Sequence, residues 1–115
     1  MSNIIDVVAN VPVPDLESAI PVYQRLTGSA EVHRFTFREH AVARVGAFLL
    51  IEGPLEGWLG EQRATVLVTS VREIVDVMYE ERGEVLEGPH PVPNALRLLV
   101  RHPDGTVMEY LEPQR

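Results

Sequence analysis

The sequence predicts an α+β fold of two tandem βαβββ modules, forming a curved mixed sheet with a cleft and with helices outside. Three observations carry this expectation. Apolar residues switch twice from strand-like to helical spacing, each helical stripe lies between a capping residue and a glycine, and three short alternating segments follow each helix. At 115 residues the chain is the size of one domain, with too few residues for two independent cores.

The first module opens with Ile4 to Val13, rich in valine and isoleucine and ending in a proline-containing turn, which reads as a strand. Leu16, Ala19, Ile20, Tyr23 and Leu26 then fall on one helical stripe, with Asp15 placed to cap its start and Gly28 its end. Pro21 sits inside that stripe and removes a backbone donor, which predicts a kink or a late start. Glu31 to Phe37, His40 to Val45 and Phe48 to Glu52 alternate as strands do.

The second module repeats this plan. Arg63 to Val68 reads as a strand, Ser70 and Glu73 have capping-box spacing, and Val71, Ile74, Val75 and Met78 form a stripe running down to Gly83. Laying Val13 on Val68 also lays Asp15 on Ser70, Leu16 on Val71, Ile20 on Val75, Tyr23 on Met78 and Gly28 on Gly83. Glu84 to Leu86, Ala95 to Arg101 and Val107 to Glu112 supply three further strands. The stretch from Gly53 to Glu61, with Pro54, Gly57 and Gly60, is the natural connection. Module one thus spans about residues 1–53, the linker 54–61 and module two 62–115, within a single domain.

Composition narrows the classes of function. Without cysteine there is no disulfide framework and no thiolate metal site. Seventeen acidic residues against ten basic ones, a formal charge of -7, repel nucleic acid and anionic membranes and favour a neutral or cationic small ligand. The opening residues lack a signal-peptide pattern and no apolar run approaches membrane-spanning length, so a cytoplasmic protein is expected.

Two local sequences sharpen the picture. VPVPDLESAIPVYQRLTG looks like the opening strand-to-helix passage, and RHPDGTVMEYLEP like the last turn and strand, of the vicinal-oxygen-chelate superfamily. That superfamily includes glyoxalases, bleomycin resistance proteins and extradiol dioxygenases. With the internal repeat, the resemblance covers nearly the whole chain. It implies four metal-ligand positions, one in the first and one in the last strand of each module. Counted from the caps and along the closing strands, these are Val8, Arg63, Leu50 and Glu109. Only Glu109 is a donor. Valine and leucine cannot ligate and a guanidinium repels a cation, so no metal and no cofactor are expected. A slipped register would bring in Asp6, Asn10, Glu52 or Thr65.

In that register Arg63 and Glu109 point at the same place, which predicts an ion pair in which the guanidinium replaces the metal's charge. Residues expected to line the ligand cleft are Val8, Asn10, Phe48, Leu50, Arg63, Thr65, Glu109 and Leu111, with Glu109 also the candidate catalytic group. Phe35 and Trp58 could add aromatic contacts. His33 and His40 could face each other across a hairpin but read as surface residues, His90 lies between prolines in a predicted loop, and His102 belongs to a turn. The resemblance implies a small-molecule-binding protein of the bleomycin-resistance kind, expected as a homodimer. The alternatives are a metal-dependent lyase, epimerase or dioxygenase with a rearranged site, and a domain that only binds a partner.

Overall fold

A computed structural model describes residues 2–114. The elements run β1 (Ile4–Val13), α1 (Leu16–Thr27), β2 (His33–Phe37), β3 (His40–Val45), β4 (Phe48–Glu52), α2 (Trp58–Glu61), β5 (Ala64–Val68), α3 (Val71–Glu81), β6 (Glu84–Val92), β7 (Ala95–Arg101) and β8 (Val107–Pro113). The βαβββ order therefore appears twice. The predicted linker contains the short helix α2, which the glycines and proline around it concealed.

The chain divides into two compact units, one Val8–Gly60 and the other Met1–Val7 with Glu61–Arg115. The division falls inside β1, so the first residues of that strand belong with the later part of the chain. Asn3 shows why: its carbonyl accepts from the Thr69 amide at 2.9 Å, and its side chain accepts from the Ser70 amide at 2.9 Å.

In the unit Val8–Gly60 the strand order is β2-β3-β4-β1. β1 pairs parallel with β4, and the other two pairings are antiparallel. Leu16 and Ile20 of α1 pack on Val13, Ala43, Val45 and Leu50, and the Tyr23 ring meets Phe48 edge-on at 5.0 Å. The opposite face holds Val42, Ile51 and Leu59 with Leu49 and Leu55 against them, so this sheet is buried on both sides.

In the other unit the order is β1-β5-β8-β7-β6. β5 and β8 are parallel, while β8, β7 and β6 are antiparallel. Val71 and Met78 of α3 bury against Val66, Val68, Leu98, Val100 and Tyr110. β6 extends well past the predicted Leu86, through Pro89 and Pro91. Prolines are tolerated there because β6 is the last strand and has only one ladder to satisfy. Gly88 lies in this strand at φ 84, where a Cβ would stand 2.4 Å from the Arg97 carbonyl oxygen, so only glycine allows the close approach of β6 to β7.

The helix caps differ from expectation in an instructive way. Asp15 makes no side-chain cap; its carboxylate accepts from the Ser18 hydroxyl instead. The Leu16 amide is satisfied by Glu52 of β4 at 2.8 Å, and the Val71 amide by Glu112 of β8 at 3.0 Å. Each long helix thus receives a carboxylate from the closing strand of its own module, where the helix dipole favours negative charge. Ser70 does accept from the Glu73 amide, but the Ser70 amide is taken by Asn3 rather than by the Glu73 carboxylate. Pro21 does not delay α1, which begins at Leu16. α3 ends on Arg82 in the left-handed region, not on Gly83, whose missing side chain leaves room for the Met78 sulfur.

Replacing Glu52 or Glu112 with alanine should lower unfolding free energy by about 1 kcal/mol each, the usual worth of an N-terminal cap, measured by urea denaturation. A second expectation concerns alkali. Burial pushes the Tyr110 phenol above its ordinary 10.0, while His102 Nε2 lies 2.8 Å from the hydroxyl. The folded state therefore holds the phenolic proton more tightly than the unfolded chain, so this contribution is complete below pH 10 and lost as pH rises. Stability should fall as pH rises above about 10, and Tyr110→Phe should flatten that fall.

Candidate functional site

β8 alternates between two environments. Tyr110 packs in the core under α3 with Met108 against it, while Val107, Glu109 and Leu111 point to the other face of the sheet. Glu109 is therefore a carboxylate in the interior of a strand, directly opposite Thr65 of β5 on one side and Leu99 of β7 on the other. Such a charge has to be compensated within the protein, since leaving it unpaired would be costly.

The compensation comes from Arg97 of β7, on the same face and diagonal to Glu109. Its Nε donates to Glu109 Oε2 at 2.6 Å, and its Nη1 to Glu87 Oε1 of β6 at 2.8 Å. The Thr65 hydroxyl donates to Glu109 Oε1 at 2.7 Å. Both Glu109 oxygens are thus engaged. Arg97 is only 2% exposed, Thr65 4% and Glu109 7%, whereas the Glu87 side chain is 26% exposed. One guanidinium thus bridges two carboxylates, one buried and one at the edge of solvent. These residues lie on β5, β6, β7 and β8 of one unit.

Several expectations need correction. Arg63 does not pair with Glu109: it is exposed just before β5, and its amide bonds the Val107 carbonyl. The guanidinium at Glu109 is Arg97, whose strand neighbours Glu109 directly. Phe48 and Leu50 do not line the face away from the helix but pack under α1. Asn10 is the Cα partner of Leu49, as Thr65 is of Glu109. Leu49 is therefore the counterpart of Glu109 in the first module, and an error of one residue had moved β4 to its other face. His90 is in β6 opposite Arg97, not in a loop. His33 pairs with Arg44 and His40 with Phe37, placing the two histidines at opposite ends of their hairpin.

The other expected residues are found as follows. Val8 is buried and Asn10 half-buried, both on the β1 face that does not meet α1. Leu111 is half-buried beside Glu109, opposite Arg97. Phe35 is exposed on β2 and Trp58, half-buried, opens α2. Arg97 was the residue sequence reasoning missed. Its signal was an arginine within ALRLLV, an otherwise apolar strand in which a charge must find a partner.

The positions that correspond to metal ligands hold Val8, Leu49, Arg63 and Glu109, and the one donor among them is already ion-paired. Of the alternatives, Asp6 is exposed, and the Glu52 carboxylate is bound to the start of α1. Among the described residues no three histidine or carboxylate side chains converge as metal donors would. Nor is any described helix long and apolar enough to cross a membrane.

No protein-family model matches the sequence, and no curated protein matches it significantly. Solved structures do. An uncharacterized protein from Methanosarcina mazei is 30% identical with a TM-score of 0.87, the match covering 98% of this chain and 95% of that one. Methylmalonyl-CoA epimerase from Mycobacterium tuberculosis is 17% identical with a TM-score of 0.72, over 99% of this chain and 91% of that one. A variant of the Streptomyces coelicolor methylmalonyl-CoA epimerase, in complex with 2-nitronate-propionyl-CoA, is 16% identical with a TM-score of 0.70, over 95% and 93%. At such identities the epimerases share the fold of this chain, and the likeness goes no further.

The pairing of Arg97 with Glu109 makes a stability prediction. Arg97→Met should cost about 3–5 kcal/mol, because it strands a buried carboxylate. The double variant Arg97→Met with Glu109→Met should recover most of that loss in urea denaturation, since removing both charges removes the need for compensation.

Proposed function

Since the chain belongs to the family of the Methanosarcina mazei protein and has the vicinal-oxygen-chelate fold, we propose that it is a metal-independent small-molecule-binding member of that fold. The observation that carries the reading is the state of Glu109. A carboxylate that accepts from both Thr65 and Arg97 already has its charge compensated within the protein, and to act as a general base it would have to give up those bonds. Epimerase, lyase or dioxygenase chemistry at this position would begin from a group already committed elsewhere.

Binding makes lighter demands. It needs an apolar surface with a few oriented polar groups. Leu111 and Glu87, both half-buried beside the Arg97 and Glu109 pair, supply such groups on the face away from α3. The overall charge of -7 favours a neutral or cationic ligand. The protein then acts as the bleomycin resistance proteins do, by sequestration, as a cytoplasmic homodimer.

Two measurements test this. After incubation with zinc, nickel, manganese and iron(II) and desalting, elemental mass spectrometry should find no retained metal. Close to one ion per chain or per dimer would overturn the metal-independent reading. In a thermal-shift screen of small molecules, cationic and neutral compounds should raise Tm and anionic ones should not, with the cationic gains shrinking as salt is added. Tm gains confined to anions would sink the ligand assignment.

A further inference from the structure

The two outermost strands are built differently. β6 carries Pro89, Pro91 and a break in register, which suit it poorly to receiving a further strand. β2, at the other end of the strand order, has neither proline nor glycine, its register with β3 runs unbroken from His33 to Phe37, and its first four residues are exposed. The chain turns from β2 into β3 on Arg38 and Glu39, with φ of 46 and 73, a two-residue hairpin in which the flanking pair Phe37 and His40 is hydrogen-bonded. Hydrogen bonding alternates along an antiparallel pair. His33, Phe35 and Phe37 therefore turn their amides and carbonyls to β3, and Arg34 and Thr36 turn theirs outward.

The side chains alternate as well. Arg34 lies on the α1 face, where it meets Glu17. His33, Phe35 and Phe37 form a row on the opposite face: the first two rings are 6.3 Å apart, and Phe37 packs on Val42, Ile51 and Leu59. Phe35, in the middle of the row, is 43% exposed. Rings beside outward-facing amides make an edge that gains by taking another strand.

We propose that β2 is the contact through which two copies of the chain associate, their β2 strands pairing antiparallel about a two-fold axis at Phe35. Symmetry and charge select this arrangement. Directly opposed side chains share a face, so a two-fold axis perpendicular to the sheet must pass through a residue pair. An axis at Arg34 would oppose that guanidinium to its own copy, and an axis at Thr36 would oppose it to Arg38 of the second copy. An axis at Phe35 opposes Arg34 to Thr36, His33 to Phe37 and Phe35 to itself, so within β2 no like charges meet and every ring faces another. The inference rests on the homodimer reading above and says where its contact lies. One five-residue edge is a small interface, so the association is reversible on dilution.

The sequence contains no cysteine, so an introduced one reports only its own surroundings. In this register Phe35 faces its copy as a non-hydrogen-bonded pair with Cα atoms about 4.5 Å apart, within disulfide reach. Under mild oxidation Phe35→Cys should give a covalent dimer on a denaturing gel roughly tenfold faster than Tyr79→Cys, whose 88% exposed position on α3 reports random collision. Sedimentation velocity over a dilution series supplies the second arm. Thr36→Glu sets a carboxylate opposite Arg34 and should tighten the dimer by about three- to tenfold, whereas Thr36→Lys should weaken it by a similar factor, each change acting twice per dimer. Equal cross-linking at Phe35 and Tyr79, or a dimer that responds alike to both Thr36 changes, overturns the proposal and leaves the homodimer reading standing. A chain that stays monomeric at every concentration overturns both.

Discussion

Removing a guanidinium from water carries a penalty of several kcal/mol, which is recovered only where the surroundings supply charge and hydrogen bonds in good geometry. Arg97 is among the most deeply buried large side chains of the protein, so the sheet around it is organised to meet that demand. Glu109 comes from β8, Glu87 from β6, and Thr65 from β5, so that four strands have to be in register before the charges balance. A slip of any one of them by a residue would turn its polar group to the other face, into the apolar packing under α3. The ion pair therefore favours one register of these strands over its neighbours. Leu98, Leu99 and Val100 could pack acceptably in more than one alignment, whereas Arg97 has a single place where it is satisfied.

The same reasoning explains why Gly88 and the prolines of β6 are compatible with an ordered strand. Glu87 must reach Arg97 from a strand that bulges between Val85 and His90, and the bulge is possible because β6 has a neighbour on only one side. An edge that carries Pro89 and Pro91 also offers few amides to a passing strand, which guards against unwanted pairing.

Most of the architecture was legible in the sequence because periodicity is a local property. The stripe through Leu16, Ile20 and Tyr23 and the alternation in β1, β3 and β7 gave helices and strands with bounds near those found. What could not be read depends on partners distant in the chain. FLLI in β4 is four apolar residues in a row, with no alternation to tell its faces apart, and only pairing with β1 decides that Leu49 rather than Leu50 matches Glu109. The guanidinium at Glu109 was foreseen, but at Arg63, since counting along strands cannot reveal which neighbour lies alongside. His90 was placed in a loop because proline usually interrupts strands, a rule that edge strands relax.

The carboxylate caps have a bearing on how the chain acquires its structure during synthesis. An isolated helix of this length is marginal in water, and each of these two receives its first-turn acceptor only from the strand that completes its module. As the chain emerges, α1 can be capped once Glu52 has followed it, whereas α3 must wait for Glu112. Asn3 has its hydrogen-bond partners much later in the chain, at Thr69 and Ser70. The bonds of Asn3 to Ser70 thus close over 67 residues, against 36 for the cap that Glu52 gives to α1, and they form only after the second long helix has begun to follow.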